Sequence, residues 1–191
     1  SYTVGGGGSY CSGGSGVAVT LSGSQSGVNY QLKINGSNTG GVISGTGAAL
    51  SWAGQTAGGS YTVAATNAST GCSLDMSGSV SVTVSPSPQV YAVGGGGNYC
   101  SGGLGVTVML SGSQSGFRYQ LQVNGSNAGG FVFGTDAPLS WSGQTAGGTY
   151  TVYAWLGSCT ATMSGSAAVT VAPIPTIYNV GGGGTGCDGA I

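Results

Sequence analysis

Apolar and polar residues alternate along this chain in short runs with a period of two. Residues 17–21 read Val-Ala-Val-Thr-Leu, which puts Val17, Val19 and Leu21 on one face of a strand. Tyr30, Leu32 and Ile34 alternate with Asn29, Gln31 and Lys33, so Lys33 is expected to face water. Asn35-Gly36 follows at once, a pair that tolerates positive φ and favours a tight hairpin. A short strand near Val42 and Ile43 comes next, then one through Leu50, Ser51 and Trp52. Tyr61, Val63 and Ala65 form a further inward row, and Val80, Val82 and Val84 close the set against outward Ser81 and Thr83. No apolar stripe at helical spacing runs beyond one turn, and glycine interrupts every segment, so no helix is expected.

The pattern occurs twice and starts a third time. Residues 2–14 read YTVGGGGSYCSGG; YAVGGGGNYCSGG returns at Tyr91, and YNVGGGGTGCDG opens at Tyr178. From Tyr2 to Ala65 the two copies align without a gap, with roughly 46 of 64 positions identical. An offset of about 89 residues is too long for a solenoid turn and suits one small β-domain. The expected organisation is repeat 1 at residues 1–88, repeat 2 at 89–175, and the opening strand of a third, truncated repeat at 176–191. Prolines at 86 and 88, and again at 173 and 175, mark extended, semi-rigid linkers that would set neighbouring modules in line.

About seven short strands per copy, separated by Gly, Ser and Asn turns, predict an all-β chain of tandem immunoglobulin-like β-sandwich domains. Gly59-Ser60-Tyr61 and Gly148-Thr149-Tyr150 suit a tyrosine corner at the start of the sixth strand. The five cysteines fall at 11, 72, 100, 159 and 187. Cys11 with Cys72, and Cys100 with Cys159, are each about 60 residues apart at matching places in their repeats. The simplest assignment is one disulfide per domain, with buried free thiols as the alternative. Cys187 opens the third copy and is expected to stay unpaired within this chain. Paired cysteines with so few charges suit an oxidising, extracellular setting.

Charge narrows the functions further. The chain has two cations, Lys33 and Arg118, three aspartates, no glutamate and no histidine. Nucleic-acid binding needs clustered cations, and general acid–base catalysis needs titratable groups held close together. The expectation is therefore a protein that is not an enzyme, with no cofactor, no metal and no nucleic-acid partner. Scattered Asp75, Asp136 and Asp188 make no calcium cage, and no apolar stretch reaches the length of a membrane span. The glycines at 5–8 lack the Lys-Ser/Thr and the helix of a phosphate loop, and read as a bulged, flexible entry strand at which a neighbouring backbone could approach closely.

The stretch GSYTVAATN at 59–67, running on to Gly71-Cys72 and then to Ser81-Val82-Thr83-Val84, resembles a known repeat pattern. It is similar to the Ig-like tandem modules of very large surface adhesins of Bacteroidetes, including gliding-motility proteins exported by the type IX secretion system. Repeat 2 departs from that pattern at Ala154-Trp155-Leu156-Gly157. The resemblance implies a secreted or cell-surface location, many tandem copies and a stalk or adhesive role. It carries over no ligand and no catalytic residue.

The two copies differ most in their aromatics. Val42 and Ser44 become Phe131 and Phe133, while Ala64 and Thr66 become Tyr153 and Trp155. Strand alternation points Val132 and Val152 inward and all four aromatics outward, beside the strand bearing Arg118. Arg118, Phe131, Phe133, Tyr153 and Trp155 are therefore a candidate contact patch. A one-residue slip in register would bury the Phe pair instead. Trp52 and Trp141 recur at one position, which favours packing over a sugar-stacking platform. The sequons at Asn35, Asn67 and Asn124 arise easily in so Asn- and Ser-rich a chain.

The leading expectation is a structural, adhesive repeat of a long extracellular filament or cell-surface adhesin. Its expected partners are neighbouring repeats and further copies, by self-association into fibres. The alternative is a carbohydrate- or protein-binding module that uses the patch on repeat 2.

Overall fold

The four-glycine run near the start of each repeat sets the architecture, because there the chain leaves one sheet for the other. The structure, a computed structural model, describes residues 1–183. In the first domain β1 (Val4–Gly6) pairs antiparallel with β3 (Val17–Leu21), whereas β2 (Gly8–Cys11) pairs parallel with β10 (Val80–Ser85). Between them φ is +79° at Gly6, +72° at Gly7 and +119° at Gly8. A Cβ on Gly6 would sit 2.3 Å from the Ala18 carbonyl oxygen, and one on Gly7 would sit 2.8 Å from that of Ser81. The close approach of neighbouring backbone expected at this run is present, but as a tight crossing between two sheets and not as one flexible strand.

The remaining strands of the first domain are β4 (Val28–Ile34), β5 (Ser37–Asn38), β6 (Ile43–Ser44), β7 (Leu50–Gln55), β8 (Gly59–Asn67) and β9 (Ser73–Asp75). One sheet has the order β1-β3-β7; the other runs β2-β10-β8-β4-β5, with β6 also on β4 and β9 also on β8. The second domain repeats this plan. Its strands are β11 (Val93–Gly95), β12 (Gly97–Cys100), β13 (Val106–Leu110), β14 (Arg118–Val123), β15 (Ser126–Asn127), β16 (Val132–Phe133), β17 (Leu139–Gln144), β18 (Gly148–Leu156), β19 (Cys159–Thr162) and β20 (Ala167–Ala172). No helix among the described residues is long and apolar enough to cross a membrane.

Each core lies between its two sheets. Val19, Leu21, Tyr30, Leu32, Tyr61 and Val63 fill the first, and Val108, Leu110, Tyr119, Leu121, Tyr150 and Val152 the second. Those inward rows match the alternation in the sequence at all but one position. Val84, expected to point inward, is exposed, because the end of β10 pairs only with β2 at the sheet edge. Asn35 and Gly36 turn with φ of 47° and 83°, as the hairpin pair requires.

The tyrosine corner is present in both domains. Tyr61 Oη donates to the Ala57 carbonyl at 2.8 Å, and Tyr150 Oη to that of Ala146 at 2.9 Å. Burial pushes the Tyr61, Tyr119 and Tyr150 hydroxyls above their ordinary value near 10. For an acid whose folded value is raised, the associated stability is complete below the unfolded value and lost as pH rises past it. Thermal melts followed by circular dichroism should therefore show that these tyrosines contribute undiminished stability at pH 8, and that Tm falls from about pH 10 upward.

The cysteines do not pair as their spacing suggested. Cys11 is bonded to Cys159, with 5.5 Å between Cα atoms, so among the described residues one disulfide is present and it joins the two domains. Cys72 and Cys100 are free and exposed. Strand register explains why one bridge per domain cannot form. Cys11 lies level with Ser85 at the trailing pole of the first domain, where the chain leaves it. Cys72 follows the β8–β9 turn, its carbonyl accepting from the Asn67 amide, at the leading pole. Between them stand three residues of β10 beyond Val82 and eight of β8 from Gly59 to Asn67, roughly 35 Å of strand. A disulfide tolerates no more than about 7 Å between Cα atoms. Cys187 lies outside the described residues.

Candidate functional site

Register on the second sheet of domain 2 brings the candidate residues into two rows on one face. Arg118 of β14 stands opposite Phe133 of β16 on one side and opposite Trp155 of β18 on the other. One step along, Gln120 faces Tyr153, which in turn faces Thr162 of β19. Residues directly opposite in an antiparallel pair share a face, so Phe133, Arg118, Trp155 and Tyr153 all point away from the core. Phe131 joins them from the segment leading into β16. Val152, next to Tyr153, is fully buried, as the outward alternation requires.

The rings form a continuous cluster. Phe131 meets Phe133 edge-to-face at 5.5 Å between centroids and meets Trp155 likewise at 5.6 Å. Tyr153 stacks on Trp155 at 5.6 Å. The Arg118 guanidinium carbon lies 4.9 Å from the Phe131 centroid and 5.6 Å from that of Phe133. Such cation–π contacts at exposed sites contribute about 0.5–1 kcal/mol each, which fixes the arginine over the rings while leaving it free to donate outward. Phe131 and Phe133 remain 44% and 58% exposed, values that place them on the surface and not in the core. Gln120, opposite Tyr153 on the same face, is buried, and its side-chain amide donates to the Leu121 and Gly129 carbonyls. A depression of about 150 Å³ opens between Arg118, Phe133, Trp155 and Leu156.

The same face of domain 1 is bare. There Val42, Ser44, Ala64 and Thr66 stand in place of the four aromatics and Asn29 in place of Arg118, and a polar groove of about 380 Å³ runs past Gln31, Lys33, Ala64 and Asp75. Lys33 makes a 3.4 Å ion pair with Asp75 across it, an exposed contact of little energetic weight that the sequence did not reveal. Both tryptophans of the recurring position turn inward instead: Trp52 is buried, Trp141 half-buried, and the indole nitrogens of both are enclosed without a partner. The sequon side chains are already in use. Asn35 accepts from the Ser60 amide, Asn124 from Thr149, and Asn67 from Ser69 and Thr70. Among the described residues no three His, Cys, Asp or Glu side chains cluster as a metal site.

No protein-family model matches the chain, and no curated protein matches it. Solved structures do. A marsupial T cell receptor superposes with a TM-score of 0.53 at 12% identity, over 91% of this chain and 73% of that one. Murine CEACAM1b gives 0.49 at 12% identity, over 90% of this chain and all of its own. The human OSCAR ligand-binding domain gives 0.36 at 14% identity, over 88% and 97%. The likeness to the T cell receptor, together with the strand order above, shows the fold alone: two immunoglobulin-like domains in tandem.

Proposed function

We propose that this chain is a non-catalytic structural and adhesive repeat unit of a long extracellular filament or cell-surface adhesin. The observation that carries this reading is the Cys11–Cys159 bond, which ties consecutive repeats to each other and leaves each repeat without a bridge of its own. A bridge inside each domain would stabilise that domain alone, whereas a staple across the junction also holds consecutive repeats in register under load. Near-zero net charge removes the repulsion that would keep such strands apart. The resemblance to Bacteroidetes surface repeats fits the same role. Electron microscopy of the native material provides the test: threads or stalks are expected, and isolated globular particles would refute the reading.

The aromatic cluster favours a second, compatible role, capture of a protein or carbohydrate ligand by domain 2. Exposed Trp, Tyr and Arg side chains are common interface anchors, and aromatic faces stack on the apolar faces of sugars. The Trp155→Ser, Phe133→Ser double variant should lose self-association or glycan capture, read by sedimentation velocity and glycan arrays. Its Tm should stay close to that of the parent, because both side chains lie outside the core. A large fall in Tm would assign these rings to stability instead.

A further inference from the structure

The one cation of domain 2 stands in the middle of its exposed rings. Arg118 of β14 lies in register between Phe133 of β16 and Trp155 of β18, and it is exposed. The cation of domain 1, Lys33, is held by Asp75 at 3.4 Å, whereas Arg118 makes no ion pair among the described residues. Asp136, the only carboxylate side chain in residues 89–175, accepts from the Ser115 amide at 2.7 Å instead. The Arg118 charge is therefore met by the faces of Phe131 and Phe133 alone, which hold a cation less strongly than a carboxylate does.

The hydrogen bonding around the patch limits what can occupy it. At the patch β14 is paired on both sides, with β16 and with β18, and β18 is paired with β14 and β19. An added peptide strand would find no open ladder to join. An amphipathic helix needs a long apolar groove, and the depression here is about 150 Å³ with a guanidinium in its wall. A phosphate backbone needs several clustered cations, and domain 2 has one. A six-membered sugar ring meets none of these objections. Its apolar face rests on aromatic side chains while its hydroxyls stay in water. Arg118, Phe133 and Trp155 all line the one depression, so a sugar seated against the two rings has the guanidinium at its edge.

We propose that this surface binds an acidic carbohydrate built of hexuronic acid units. One sugar ring lies against Phe133 and Trp155, and its carboxylate accepts two parallel N–H bonds from Arg118. The planar fork of a guanidinium matches a planar carboxylate. Phe131 and Phe133 hold that fork before the ligand arrives, so little side-chain freedom is lost on binding. The proposal names a ligand class for the capture role given to domain 2 above, and it rests on that role. Domain 1 has Asn29 and no rings on the equivalent face, so each chain offers one such site.

The test titrates the full chain, by isothermal titration calorimetry, with short oligomers of galacturonic, glucuronic and mannuronic acid. Each is compared with the same oligomer after reduction of its carboxyl groups to alcohols. At least one acidic series should bind at one site per chain, and its reduced form should bind at least ~fivefold more weakly. The protein is identical in both arms, so folding cannot account for the difference. Added sodium chloride should weaken binding of the acidic oligomer. Arg118→Gln should remove the difference between the two forms, and Trp155→Ser should weaken both, with melting curves confirming that each variant is folded. Reduced oligomers that bind as tightly as acidic ones overturn the proposal while leaving carbohydrate capture standing. Equal affinity for an oligoglutamate of the same charge also overturns it, by showing that charge alone is read. Absence of binding by every oligomer overturns it as well; loss of self-association in the Trp155→Ser, Phe133→Ser double variant would then make the rings a protein interface. A double variant that alters neither binding nor self-association removes the capture role itself.

Discussion

Replacing Gly6 by alanine is expected to destabilise the first domain by about 3 kcal/mol, and Gly95→Ala should do the same to the second. Two costs combine. Gly6 has φ of +79° and Gly95 +83°, where an L side chain costs roughly 1–2 kcal/mol. The new Cβ would also stand 2.3 Å from the Ala18 carbonyl oxygen, or 2.4 Å from that of Thr107. Relief requires β1 to move off β3, or β11 off β13, which breaks the ladder that begins each domain. For domains of this size the loss corresponds to a fall in Tm of ~15 °C, measurable by differential scanning calorimetry. Gly8→Ala is the control. Its φ of +119° is equally unsuited to alanine, but nothing lies within 4 Å of the added carbon. It should cost less than half as much; equal losses would show that crowding does not fix the crossing.

The inner faces of the sheets were legible in the sequence because burial imposes the two-residue period directly. Tyr30, Leu32, Tyr61 and Val63 could face only the core once their polar neighbours faced water. The outward aromatic row was legible for the same reason, since Phe133, Arg118 and Trp155 follow from the inward positions of Val152 and Tyr119. What alternation does not encode is which strand ends meet. The glycine crossing at 6–8 moves the chain to the opposite sheet, where β2 runs parallel to the last strand and carries Cys11 to the trailing pole. A parallel pair between the beginning and end of a domain has no local signature. The cysteine spacing is equally silent, because bridges within repeats and bridges between repeats give the same spacing. The sequence therefore suggested the wrong pairing for a physical reason: it shows how far apart cysteines are along the chain, whereas the bond depends on the pole each occupies.

Removing the bond, by the Cys11→Ser, Cys159→Ser double variant, should produce the largest loss of all. The cross-link spans 148 residues of sequence, and on the chain-entropy account such a constraint on the unfolded chain is worth roughly 4–5 kcal/mol. Each domain has its own core, so neither should unfold outright at room temperature. Instead the two domains should melt earlier and independently, each losing the restraint that its folded neighbour imposed through the bond. The same variant should loosen the junction, which small-angle X-ray scattering would register as a broader distribution of distances within the chain. Cys72→Ser and Cys100→Ser, both at exposed free thiols, should leave the melting of the monomer unchanged. That contrast separates the two possible frameworks. Bridges within domains would make Cys72 and Cys100 as costly to lose as their partners, whereas a staple across the junction makes only Cys11 and Cys159 costly. A melting profile unaltered in the double variant would mean that the domains are not held together by this bond.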